Sequence, residues 1–111
     1  MLMLSMEENA FAIILKGGNG KSFAMEAIRE AKNGNIDKAH ALMNKASAEL
    51  VAAHHLQSDM IRNEVNGTPQ PISLLLIHAQ DHLMNALTVK DMAGEMIDMY
   101  DKMNQGGLLR G

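Results

Sequence analysis

Apolar and polar positions along this chain follow helical rather than strand spacing, and two clusters of breaker residues cut the pattern into three segments. The first runs from about Ser5 to Lys32 and contains a glycine cluster, Gly17, Gly18 and Gly20. The breaker "NGN" at 33–35 ends it. The second segment starts near Asp37, with Asp37 or Asn35 as its N-cap, and ends near Asn66 before "NGTPQP". The third starts around Pro71, a residue type the first helical turn tolerates, and runs to about Met103, where "NQGG" stops it. Both connections are short, so consecutive helices should be antiparallel neighbours. The expected fold class is all-α: a single antiparallel three-helix bundle over residues 1–105, followed by a flexible C-terminal tail at 106–111.

The third segment is the most informative. At about 100° per residue, Leu74, Leu75, His78, Asp81, His82, Asn85, Val89, Met92, Met96 and Met99 share one stripe. Leu76, Ala79, Leu83, Leu87 and Ile97 form a second stripe on roughly the opposite side. An ordinary surface helix has one apolar face. Two faces suit a helix buried on both sides, one inside the subunit and one against another copy, so the pattern implies self-association. The second segment repeats the theme: His54 and Gln57 lie in phase with Met43, Leu50, Ile61 and Val65.

Composition sharpens this picture. The core must be aliphatic, because Phe11, Phe23 and Tyr100 are the only aromatic residues besides histidine, and eleven methionines supply adaptable filling. A formal net charge of −3 with no basic block gives no footprint for nucleic acid. Cysteine is absent, which removes disulfides and thiolate chemistry and fits a reducing, cytoplasmic compartment. The opening "MLMLSMEENAFAIILKGG" carries Glu7 and Glu8 in its middle and lacks a basic leader, so no signal peptide is expected. No apolar run reaches membrane-spanning length, so direct membrane insertion is not expected.

Two motif-like stretches fail their own tests. "GGNGKS" at 17–22 has Leu15 where a phosphate loop needs its first glycine, and no strand precedes it. A helix kink or a small-residue crossing point accounts for it better. "HAQDH" places His78 and His82 at i, i+4, but Ala79 stands where a zinc protease needs glutamate. What remains is a polar layer, His78, Asp81, His82 and Asn85, on one apolar stripe. Burying such groups unpaired costs about 1–3 kcal/mol each, so they pair, face a cleft or do chemistry. Neutral imidazole is a nucleophile near neutral pH, and a second histidine can orient it or share its proton. No lysine or arginine lies between Arg62 and Lys90 to clamp a dianion, and Asp81 would repel a phosphoryl group unless a cation, a proton or a partner neutralises it. On chemistry alone, the layer is a nucleophilic or metal-linked histidine at a helical interface.

The stretch "LLLIHAQDHLMNA", with "AMEAIREAKNGNIDKAHALMNKASAEL" before it and "AHHLQSDMIRNE" in the second segment, resembles the enzyme IIA component of the lactose/cellobiose (chitobiose) family of bacterial sugar phosphotransferase systems. The resemblance covers about Met6 to Met103. It implies a three-helix subunit assembled as a homotrimer. It implies that His78 accepts a phosphoryl group, on Nε2, from the carrier HPr and passes it to a cysteine of enzyme IIB, for uptake of a β-disaccharide of the cellobiose, lactose or chitobiose type. His82 matches a second active-site histidine, and Gln80 a polar position of the motif. His54 and Gln57 match an "AHxxQ" element read as hydrogen-bonding support. Asp81 matches an aspartate that gathers at the trimer axis around a divalent metal such as Mg. One departure stands out: "LKGGNGKS" replaces a family pattern nearer "HAGNARS", changing the Lys16 and Gly20 positions. The alternative reading is a non-catalytic helical regulatory or metal-binding assembly.

Overall fold

The structure, a computed structural model, describes residues 5–106; the tail expected at 106–111 lies, apart from Gly106, outside the described residues. Three helices make up the subunit: α1 (Met6–Lys32), α2 (Ile36–Val65) and α3 (Leu74–Gln105). Ser5 starts α1 by accepting the Glu8 N–H at 3.1 Å on its Oγ. Glu7 and Glu8 in the first turn and Arg29 and Lys32 in the last complement the helix dipole. Gly34, at φ +85°, turns the chain into α2, a conformation that favours glycine because a Cβ would be strained there.

Two details differ from expectation. Asn35 does occupy the N-cap position of α2 but makes no capping bond. Its Nδ2 instead donates to Glu30 Oε2 at 2.9 Å, and Lys38 Nζ lies 3.3 Å from the other Glu30 oxygen. The amide of Asn35, and then the ammonium of Lys38, hold the Glu30 carboxyl below its usual range, so the two side chains clasp the turn. The third helix begins at Leu74 rather than Pro71, with Ser73 as its N-cap: Ser73 Oγ accepts the Leu76 N–H at 3.1 Å and satisfies one of the first-turn amides that have no intrahelical partner. Pro71 belongs to the non-helical lead-in. At the other end α3 runs two residues past Met103 before Gly106 caps it, donating to the Lys102 carbonyl at 3.0 Å.

The helices run antiparallel in sequence, which makes α1 and α3 parallel. Their starts meet where Ser73 Oγ donates to Met6 Sδ at 3.4 Å, and their far ends meet where Asn104 lies beside Gly34. Both α2 and α3 pack extensively on α1 and only sparsely on each other. The buried residues of α1 are Ala10, Ile13, Gly17, Gly20, Ala24, Ala27 and Ala31. They alternate at intervals of three and four, the spacing of a seam that faces partners on both sides. The glycine cluster is therefore a crossing point inside a continuous helix.

Near the site end, Ala10, Ile13, Leu50, Ala53, Ala79 and Leu83 form the core. Ala27, Leu42 and Ile97 close the opposite end. Among the described residues, the large side chains buried almost completely are Ile13, Leu50, Leu83 and Ile97. Of the two stripes of α3, Ala79, Leu83 and Ile97 of the second face this core, whereas Leu74, Met92, Met96 and Met99 of the first are exposed.

Gly20 offers a test of how closely α1 and α2 approach. A Cβ there would sit 2.5 Å from Leu50 Cγ, and Leu50 has little room to move. Gly20→Ala should destabilise the protein by about 1–3 kcal/mol despite its better helix propensity. Combined with Leu50→Ala, it should cost less than the sum of the two single changes. Urea unfolding at fixed protein concentration measures this; strict additivity would show that the two positions do not compete for one space.

Candidate functional site

The polar residues picked out on α3 divide between two sides of the helix. His78 is exposed in the second turn, and His82 follows one turn later, half-buried. Their rings lie with centroids 6.0 Å apart and planes inclined by 28°. That pairing follows from the i, i+4 geometry, which stacks such residues on one face. Among the described residues neither imidazole makes a hydrogen bond to a side chain or to the backbone, so packing alone orients them. His82 rests against α1 at Gly17 and Gly18. Asp81 and Asn85 are exposed on the same uncovered side.

Gln80 points the other way. It accepts a hydrogen bond from Gln57 Nε2 at 2.7 Å, and its own amide approaches Met60 Sδ at 3.9 Å. Gln57 also contacts Met84 Sδ at 3.8 Å. The pair thus bridges α2 and α3 where these helices otherwise touch little, and braces the α3 backbone behind His78. His54 is exposed and lies farther along, in a depression of about 480 Å³ lined also by Leu50, Val51, Met84 and Leu87. The structure therefore brings together His78 and His82, and separately Gln57 and Gln80, with His54 outside both pairs.

Beside Gln80 a groove of about 420 Å³ opens between α2 and the start of α3, lined by Met60, Ile61, Gln70, Ile72, Leu76 and Ile77. Ile72, which lines it, is 79% exposed. Helical spacing does not single out Ile72, because a helix start near Pro71 places it in the first turn of α3, whereas the structure has it in the connection. Nor does that spacing connect the glycines of α1 with His82, since the contact joins two elements remote in sequence.

For a metal, the single chain offers little. Among the described residues there is no group of three or more histidine, aspartate or glutamate side chains placed to hold an ion. Asp81 contributes one exposed carboxylate, which fits a cation only when further copies of the chain supply the rest.

The sequence matches the family described as "PTS system, Lactose/Cellobiose specific IIA subunit" over residues 8–101. This chain belongs to that family. It is 52% identical over 100 residues to the lichenan-specific phosphotransferase enzyme IIA component of Bacillus subtilis (strain 168), covering 90% of this chain and 91% of the relative. Among solved structures, the cellobiose-specific enzyme IIA of Bacillus anthracis superimposes with a TM-score of 0.88 at 48% identity, over 94% of this chain and 95% of that one. The IIA(Chitobiose) structure determined in complex with HPr from the Escherichia coli N,N'-diacetylchitobiose branch gives 0.80 at 29% identity, over 92% and 99%. This IIA protein thus has the all-α three-helix subunit that the sequence implies.

The bridge between α2 and α3 yields a prediction. Gln57→Ala and Gln80→Ala should each lower stability by about 1 kcal/mol, and a double-mutant cycle should show them coupled by a similar amount. Denaturant unfolding of the four proteins decides it, and zero coupling would mean that the bond does not form in solution.

Proposed function

We propose that this protein is the phosphocarrier of a sugar phosphotransferase system, with His78 as the residue that carries the phosphoryl group. The observation that carries the assignment is the exposed His78 imidazole stacked on the half-buried His82, on a helix braced from behind by Gln57 and Gln80. A carrier that serves two protein partners needs an exposed nucleophile on a rigid element, and this arrangement supplies one.

In the first transfer, a ring nitrogen of His78 attacks the phosphorus of phosphohistidine on HPr. The P–N bond to HPr breaks, and the HPr imidazole leaves with the electron pair. In the second, a thiolate of enzyme IIB attacks the same phosphorus, and the His78 imidazole is released. In-line positioning does most of the work in such transfers. His82 lies beside the reacting ring and can share the proton displaced as its charge changes. No basic side chain sits next to His78 in the α3 sequence, which suits a relay: strong stabilisation of the phosphohistidine would stall the next step. The exposed apolar side chains of Ile72, Leu74 and Ile77 give protein partners a surface to grip close to His78. The transported sugar is a β-disaccharide of the cellobiose, lactose or chitobiose type, phosphorylated on the cytoplasmic side, where this protein works. No helix among the described residues is long and apolar enough to cross a membrane, in keeping with a carrier that acts on a separate membrane component.

The same reading extends to assembly. Three copies packed through the uncovered stripe of α3 would cover Met92, Met96 and Met99 and bring three Asp81 carboxylates to one axis. Like charges at such separations repel strongly, so a divalent cation, Mg2+ by its oxygen-ligand chemistry, would hold them.

Two experiments test these statements. Incubation with phosphoenolpyruvate, enzyme I and HPr should add one acid-labile phosphate, visible in the intact mass. His78→Ala should abolish it, and His82→Ala should slow it by about 10²-fold. Uptake by the His78→Ala protein would refute the assignment. For the assembly, native mass should show a trimer that chelator weakens, whereas Asp81→Leu should stay trimeric with or without chelator. A parent trimer indifferent to chelation would remove the metal from the account.

A further inference from the structure

We infer that Gly17 and Gly18 of α1 are positioning residues of the phosphoryl site, forming a side-chain-free seat that fixes the orientation of the His82 ring. This rests on the phosphocarrier reading above. A Cβ built on Gly17 would lie 3.2 Å from His82 Cδ2 and 3.7 Å from the Leu83 Cα, and one on Gly18 would lie 3.4 Å from His82 Nε2. The Cδ2–Nε2 edge of the imidazole therefore lies close to bare α1 backbone. In this five-membered ring, Nδ1 is opposite the Cδ2–Nε2 bond. The seat thus directs Nε2 toward α1 and leaves Nδ1 as the nitrogen open to a partner.

Packing has to do this work, because no hydrogen bond holds His82 among the described residues. Leu83, which is fully buried, anchors the α3 backbone against α1, so a larger residue in the seat must displace the ring rather than the helix. A methyl at position 17 would push the Cδ2 edge outward. A methyl at position 18 would come into ordinary van der Waals contact with Nε2 at 3.4 Å and take the place of water or a hydrogen-bond partner on that side of the nitrogen. Gly94 is a helical glycine whose added Cβ would meet nothing within 4 Å, and it provides the matched control.

The test uses full-length protein labelled with 15N-histidine. In the parent, nuclear Overhauser effects should join the His82 Hδ2 proton to the Gly17 α-protons, and the two-bond 1H–15N pattern identifies each ring nitrogen. Gly17→Ala/Gly18→Ala should move the His82 ring signals and abolish those contacts, whereas Gly94→Ala should leave them in place. Helicity by circular dichroism and oligomer mass should be unchanged in both variants. Single-turnover transfer from phospho-HPr should fall about 10-fold or more in the double variant, because a small misplacement near the reacting group is costly. In a His82→Ala background the same two substitutions should have no further effect on rate. Unmoved His82 signals, or a loss of rate that persists without His82, would overturn the proposal. If the parent takes up no phosphate at all, the phosphocarrier reading fails, and the ring signals alone still decide whether the seat exists.

Discussion

The subunit depends on how closely its helices can approach α1. Six of the seven buried residues of that helix are glycine or alanine, with Ile13 the exception. Small residues at alternating intervals of three and four let two neighbours come near the backbone at once, one on each flank. Dispersion contacts are short-ranged, so close approach gives an alanine-rich seam cohesion that its small side chains alone would not provide. Leu50 fills the space above Gly20 on one flank, and His82 and Leu83 use the space above Gly17 on the other. The same absence of side chains thus serves a contact with Leu50 of α2 and one with His82 of α3.

A helix that binds both neighbours leaves those neighbours little need of each other. Contacts between α2 and α3 are few, and the surface between them is open enough to hold two sizeable depressions. The Gln57–Gln80 bond matters in that setting, since it ties two helices that no large apolar interface joins. The arrangement also limits how much apolar surface one chain can bury. Among the described residues four large side chains are buried almost completely, while Phe11, Leu15, Leu74, Met92 and Met99 remain mostly exposed. Apolar exposure on that scale marks surfaces that other molecules cover.

Much of this was legible in the sequence, because helical periodicity is a property of one element at a time. The two stripes of α3 separate as expected: Leu83 and Ile97 go inward, Met96 and Met99 outward. The pairing of His78 with His82 needed only i, i+4 spacing. What periodicity cannot reveal is which element lies opposite. His82 is in phase with the outer stripe, yet it sits at the edge of that stripe and lies against α1. The glycines beneath it suggested a crossing point without saying what crossed. The start of α3 departs from the periodic pattern for a different reason. Pro71 and Ser73 both carry helix-start signals, and the hydrogen bond a serine can form outweighed the backbone preference of a proline. Asn35 shows the reverse, a good cap residue drawn away by a stronger partner in Glu30.

The parallel pairing of α1 with α3 has a consequence for how the molecule comes into being. Contacts of α2 with either neighbour can grow outward from a short turn, at Gly34 or Gly67, and so close small loops. The meeting of Gly17 with His82 has no such start: it joins points more than sixty residues apart, and the entropy of closing that loop must be met before the contact gives anything back. Helical hairpins can therefore form while the histidine ring still lacks its backing. Loop closure thus orders the events: hairpin contacts come cheaply, and the seat under His82 comes only once α1 and α3 are brought together.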